Sequence, residues 1–182
     1  MRMFALLPLV LLATGCDKGD VEMKNASVDQ VAKEMREQGA NDRFIDPGKW
    51  EQKATLVSID APSLSDEERS AMQKAMSQSQ VHSVCLTPEE AKSPREDFFT
   101  GKDNNCRYEH FNWGKGKIDL KLMCKHPNAS QVMELAGTYE PRRYSMTMTA
   151  TNEGSGPEEQ MKMTMRVDAR HVGACDAKTA AN

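Results

Sequence analysis

Sulfur carries most of the reactive chemistry in this 182-residue sequence: thirteen methionines and five cysteines, with four histidines as possible nitrogen donors. The densest array is YSMTMTATNEGSGPEEQMKMTMRVDA, from Tyr144 to Ala169, where methionine recurs at alternate positions on both sides of a Gly/Pro/Glu break. Thioether sulfur is a soft ligand suited to Cu(I). Met146, Met148, Met163 and Met165, with His82, His110, His126 and His171 as further donors, therefore define a soft-metal alternative. Period two is also the pleat of a strand, in which alternate side chains share a face. With a turn near Ser155–Gly156, Met146 faces Met165 and Met148 faces Met163. The residues between them (Ser145, Thr147, Thr149, Lys162, Thr164 and Arg166) are polar, as an outward face requires. The run itself contains no histidine, so the pattern predicts a half-buried hairpin, with no metal and no cofactor.

Of the cysteines, Cys16 stands apart. It follows a positive start at Arg2, an apolar run Met3–Ala13, and the small residues Ala13-Thr14-Gly15. The run is too short to span a bilayer, which takes about 20 apolar residues. The junction resembles a bacterial lipobox, whose cysteine takes a lipid and begins the mature chain. Ala13 stands where leucine is usual, and an ordinary signal-peptidase cut leaving Cys16 as a free thiol is the alternative. Without Cys16 the chain keeps Cys85, Cys106, Cys124 and Cys175, an even set that suits an exported protein. Asp17 resembles an inner-membrane retention signal, a rule that does not transfer between lineages, so inner versus outer membrane stays open. The expectation is a signal peptide at 1–15, a lipid-anchored tether at 16–26, and a domain facing the periplasm of a bacterial cell envelope.

The remaining cysteines can be paired by counting. In CRYEHFNWGKGKIDLKLMC a Gly114-Lys115-Gly116 loop separates two strand-like runs, with Gly116 able to take the left-handed position. Trp113 then faces Lys117, and counting outward brings Cys106 opposite Cys124, within disulfide reach. Cys85–Cys175 is the pair left over. A zinc site is disfavoured, because no C-x-x-C knuckle occurs.

The elements that must position these residues are legible in outline. SVDQVAKEMREQG predicts an amphipathic helix over 27–39, capped by Ser27, with Val28, Val31, Ala32 and Met35 on one face and Gly39 closing it. Asp46-Pro47-Gly48 is a turn, and Lys49–Asp60 reads as the first strand of the domain. Ser65 and Glu68 form a capping box over a helix to about Ser79, which would bury Met72, Ala75 and Met76. VHSVCL is a strand, and Thr87-Pro88-Glu89-Glu90 starts a short helix. Beyond Ser93-Pro94 the chain reads as strand and turn to Cys175, and 176–182 as a disordered tail. The predicted fold class is α+β. It comprises one domain over 44–175, an antiparallel meander of about six or seven strands with one inserted helix, preceded by the N-terminal helix and closed by two disulfides.

Formal net charge is -3 with the two signs interspersed, which gives no reason to expect nucleic acid. Nucleophile-elbow, P-loop and dinucleotide fingerprints do not occur. The carboxylates of DEER and PEE serve as helix caps. Cys85 suits a disulfide better than a catalytic thiol in an oxidising compartment, so no catalytic residue is assigned.

Two resemblances follow. Gly48-x-Trp50 is similar to the Gly-x-Trp of lipocalins, which keeps a carrier of a small hydrophobic ligand near Trp50 in view. Pro47-Gly48-Lys49-Trp50-Glu51 resembles the Pro-Gly-x-Trp-Glu start of the family known as domain of unknown function 3617. CLTPEEA from Cys85 resembles that family's Cys-Leu-Thr-Pro-Glu segment, and Arg170 to Cys175 (RHVGAC) its closing Gly-x-Cys. This resemblance runs from about Phe44 to Cys175 and implies an architecture and an exported or lipid-anchored location, with no activity attached. The expected function is a non-enzymatic structural or interaction module, attached to the membrane through Cys16, with an unidentified envelope protein as its expected partner. The hydrophobic-ligand carrier and the copper binder are the alternatives.

Overall fold

A computed structural model describes residues 20–39, 45–76, 80–91, 105–154 and 160–175. The expected signal peptide, Cys16 and the expected 176–182 tail lie outside the described residues. The described residues form eight strands and two helices: β1 (Val21–Ser27), α1 (Val28–Gly39), β2 (Gly48–Asp60), α2 (Asp66–Met76), β3 (Gln80–Leu86), β4 (Cys106–Gly114), β5 (Lys117–Lys125), β6 (Ala129–Glu140), β7 (Arg143–Gly154) and β8 (Met161–Gly173). All eight strands join one antiparallel sheet in the order β1-β4-β5-β6-β7-β8-β2-β3. β4 to β8 form the expected meander. The β2–β3 pair adds to β8, and β1 adds to β4, so the count is eight where six or seven were expected. Among the described residues no helix is long and apolar enough to cross a membrane.

The extra strand corrects the expected tether. Residues 21–26 pair with β4 from Val21↔Trp113 to Ala26↔Tyr108, and Val21 and Ala26 are only 2% and 4% exposed. VEMKNAS has too few apolar residues to announce a strand. The unpaired backbone groups of β4 supply what the side chains lack, since a sheet edge is a template for pairing. The folded unit therefore starts ahead of residue 44. α1 lays Val31 and Met35 into the same core as Tyr108, Phe111 and Trp113.

Local chemistry sets the helix starts. Ser27 N–H donates to Gln30 Oε1 at 2.8 Å while Gln30 N–H donates to Ser27 Oγ at 3.2 Å, a reciprocal cap. Ser65 and Glu68 make the same box at the start of α2, at 2.9 and 3.3 Å. At Thr87 and Glu90 the box is also closed, at 3.0 and 3.2 Å. There the described residues form a turn, closed by Ala91 N–H to the Thr87 carbonyl, and the rest of the expected short helix lies outside the described residues. α2 also departs from expectation: Met72 is half-buried and Ala75 exposed. The helix touches the sheet only lightly, because its apolar stripe is two residues wide.

Two registers differ from the counted ones. β4 and β5 join through a two-residue turn, Lys115-Gly116, with φ of 51° and 73°. Positive φ at both centres matches the right-handed twist of a tight hairpin. Gly114 then pairs with Lys117, and Trp113 with Ile118 rather than Lys117. An irregularity between Tyr108 and His110 takes up the one-residue offset, so Cys106 still meets Cys124. In the methionine hairpin, Met148 pairs with Met165, Met146 with Val167 and Met163 with Ala150. The expected pairs Met146–Met165 and Met148–Met163 are each displaced by two residues. A two-residue slip leaves every side chain on its expected face.

Candidate functional site

The three segments that stood out in the sequence meet at one corner of the sheet. Lys49 at the start of β2 pairs with Cys85 at the end of β3 and with Gly173 at the end of β8. Cys85 and Cys175 are disulfide-bonded there, with Cα atoms 5.6 Å apart. Cys106 and Cys124 form the second bridge, at 4.0 Å, across β4 and β5. Trp50 fills the corner: it is 0% exposed, and its indole N–H donates to the Asp46 carbonyl at 2.9 Å. Tyr144 lies 5.5 Å away, tilted, and His171 meets the indole edge-on at 5.6 Å. Ile45 and Ala169 complete the buried cluster, with Val84 and Leu86 packed against it.

His171 is tied at both ring nitrogens. Nε2 lies 3.0 Å from the Pro47 carbonyl, an obligate acceptor, and Nδ1 lies 3.1 Å from the Arg142 guanidinium, an obligate donor. The partners therefore fix the neutral tautomer with its proton on Nε2. Gly48, at φ 133°, lets the chain pass beneath this ring: a Cβ there would sit 2.4 Å from His171 Nε2 and 2.5 Å from the Gly173 carbonyl oxygen. The corner is thus a packed lock of glycine, indole, imidazole and disulfide.

The methionines share one sheet face but divide by depth. Met146 is buried in the main core and Met148 packs against that core, whereas Met163 and Met165 are half-buried and belong to neither buried cluster. Of the four, only Met148 and Met165 are direct cross-strand partners. The histidines do not join them. His82 pairs with Gln52, His110 lies 3.4 Å from Asp119, His126 sits at the β5–β6 turn, and His171 is held in the corner. Among the described residues no group of three His, Cys, Asp or Glu is placed to hold a metal ion.

A cleft of about 440 Å³ lies on the opposite face of the same strands. Register places two rows of side chains along it. One runs Glu51, Arg170, Arg143, Glu140, and the other Val81, Lys53, Asp168, Ser145, Thr138, each residue directly opposite the next across the strands. Arg170 binds Glu51 Oε2 through Nε and Nη2 at 3.0 and 2.7 Å. Arg143 Nε donates to Glu140 Oε2 at 2.9 Å. Hydrogen bonds from Arg166 and from the Ser145 hydroxyl, with the charges of Arg166 and Lys53, hold the Asp168 carboxyl below its usual value. Beneath the rim, Gln52 Nε2 donates to the Tyr144 hydroxyl at 2.7 Å. Burial pushes that phenol up to about 12, against the opposing pull of Gln52. Tyr144 links the two regions, packing on Trp50 and lining the cleft.

The sequence names Ser145 only as part of a polar outward face, and Glu51 and Arg170 only inside family-like segments, and it assigns none of the cleft residues to a site. Their signal was a polar residue at every second position of β2, β7 and β8, which reads as ordinary solvated surface until register aligns the rows. What the sequence did single out, the segments around Trp50, Cys85 and Cys175, proves to be the packing behind them. No curated protein and no solved structure matches the chain. The family model described as protein of unknown function (DUF3617) matches residues 45–175, which takes in β2 through β8 and the Trp50 corner and leaves out β1 and α1. The chain belongs to the DUF3617 family.

Proposed function

We propose that the protein is a lipid-anchored module of the bacterial cell envelope, held through Cys16 with its domain facing the periplasm, which binds a partner rather than transforming a substrate. The observation that carries this reading is the division of labour across one set of strands. The family's distinctive segments are spent on a rigid corner around Trp50, while the opposite face offers an open cleft walled by exposed ion pairs. Two disulfides in a chain of alternating polar and apolar strands suit an oxidising compartment, and the leader ending at Cys16 suits an anchor there. The choice between inner and outer membrane is left to fractionation.

A second reading has its own observation. Met161, Met163 and Met165 are half-buried, although they stand on the apolar face. Flexible thioethers on an incompletely covered sheet suit a carrier of a hydrophobic molecule. Native mass spectrometry of the protein extracted from membranes without reductant separates the readings. The leading one expects a chain that starts at a lipid-modified Cys16, lies four hydrogens below the reduced mass for its two disulfides, and carries no second lipid. An additional lipid-sized mass favours the carrier, and a copper adduct revives the soft-metal alternative. An unmodified Cys16 removes the anchor from the account.

A further inference from the structure

We propose that the cleft binds an oxyanion, a phosphate or carboxylate group carried by its ligand, between the guanidiniums of Arg143 and Arg170. The proposal deepens the binding-module reading and rests on it. Arg143 and Arg170 stand directly opposite each other on β7 and β8, where like charges oppose pairing. Each turns away to a glutamate on its far side, Glu140 or Glu51. The row thus reads acid, base, base, acid, with the two positive charges adjacent at its centre.

The donors left over sit on these two neighbouring side chains. Among the described residues Arg143 spends only its Nε–H, leaving both terminal nitrogens without an acceptor. Arg170 places two of its N–H groups on a single oxygen of Glu51, so three remain of the five a guanidinium carries. A planar fork with spare donors matches the geometry of a phosphate or carboxylate, which it can grip through two parallel bonds. The glutamates need not leave, and as partners in exposed pairs they hold the arginines only weakly. Asp168, the other acid of the cleft, is occupied by Arg166 at 3.0 Å. Val81, 63% exposed at the rim, offers apolar contact to the body of the ligand.

Two sources share this chemistry, a free anion and the headgroup of an anionic lipid, and the titration distinguishes them. Inorganic phosphate and glycerol 1-phosphate are added in turn to the purified full-length protein, and backbone amide NMR signals are followed. Saturable shifts centred on Arg143, Arg170 and Ser145 are expected, weakening as salt is raised. Arg143→Gln and Arg170→Gln each weaken binding by about tenfold or more, the scale of one lost charge-assisted contact. Arg143→Lys retains part of the affinity, because it keeps the charge and loses the fork. Tighter binding of glycerol 1-phosphate points to a lipid headgroup, and equal or tighter binding of inorganic phosphate to a free anion.

Shifts that are absent, or scattered over all basic residues and unchanged in the glutamine variants, overturn the proposal. An unchanged amide spectrum elsewhere shows that each variant still folds. If no anion binds while a partner is still captured at the cleft rim, the oxyanion site alone fails. If neither is seen, the binding-module reading fails with it.

Discussion

A methyl group added at Gly48 has no place to go. It would meet the His171 ring at 2.4 Å and the Gly173 carbonyl at 2.5 Å, at a φ of 133° that other residues avoid. Backbone strain and forced displacement each cost about 1–3 kcal/mol. Gly48→Ala is therefore expected to lower stability by about 2–6 kcal/mol, read as a fall in the urea midpoint with unchanged slope. A midpoint equal to that of the parent would mean that the corner is not the lock described. The tyrosines offer a second test at this scale. Burial raises Tyr144 to about 12 and raises Tyr108 as well, so the folded state prefers their neutral phenols. That preference is fully present below the ordinary phenol value of 10.0 and is lost as pH rises through the folded value. Near-UV absorbance should show at least these two tyrosines resisting ionisation near pH 10.0, with stability falling above it. Three tyrosines ionising together at that pH would contradict the burial of both rings.

Elements show which parts of the structure were readable in advance. Capping boxes at Ser65 and Thr87 are local chemistry, and the sequence displays local chemistry directly. The Cys106–Cys124 pairing was reached through a loop one residue too long, rescued by the irregularity between Tyr108 and His110. Neither the turn type nor the bulge is written in composition. The methionine hairpin kept its faces and lost its register because alternation fixes parity, whereas the loop fixes the offset. The strand β1 went unread because its partner, 80 or so residues away in sequence, supplies its reason to exist. The cleft was hidden for a similar reason: its rows are built across strands by pairing. The disulfides allow a comparison at this scale. By chain entropy, the loop of 90 residues closed by Cys85–Cys175 contributes about 4.6 kcal/mol and the loop of 18 closed by Cys106–Cys124 about 3. Paired Cys→Ala variants should therefore unfold at lower urea in that order. The reverse order would show that the β4–β5 bridge holds something the chain-length argument omits.

At the scale of the whole molecule, the sheet outruns the family match. Residues 45–175 include β2 to β8, yet Val21, Ala26, Val31 and Met35 bury themselves against Tyr108 and Phe111. A chain beginning at residue 40 keeps every matched residue and uncovers that end of the core. It should lose near-UV circular dichroism and cooperative unfolding, and full retention of both would return β1 to the status of a tether. The intact molecule presents its packed corner and its cleft on opposite sides of the same strands, and the central claim is that recognition happens at the cleft. The direct test places a photo-crosslinking amino acid at Val81 on the cleft rim, and in a separate variant at Lys33 on α1, in cells producing the full-length protein. A discrete adduct from Val81, absent from Lys33 and diminished by Arg143→Gln with Arg170→Gln, is the predicted result. Equal adducts from both positions, or none from Val81, would contradict the assignment of the cleft as the binding face.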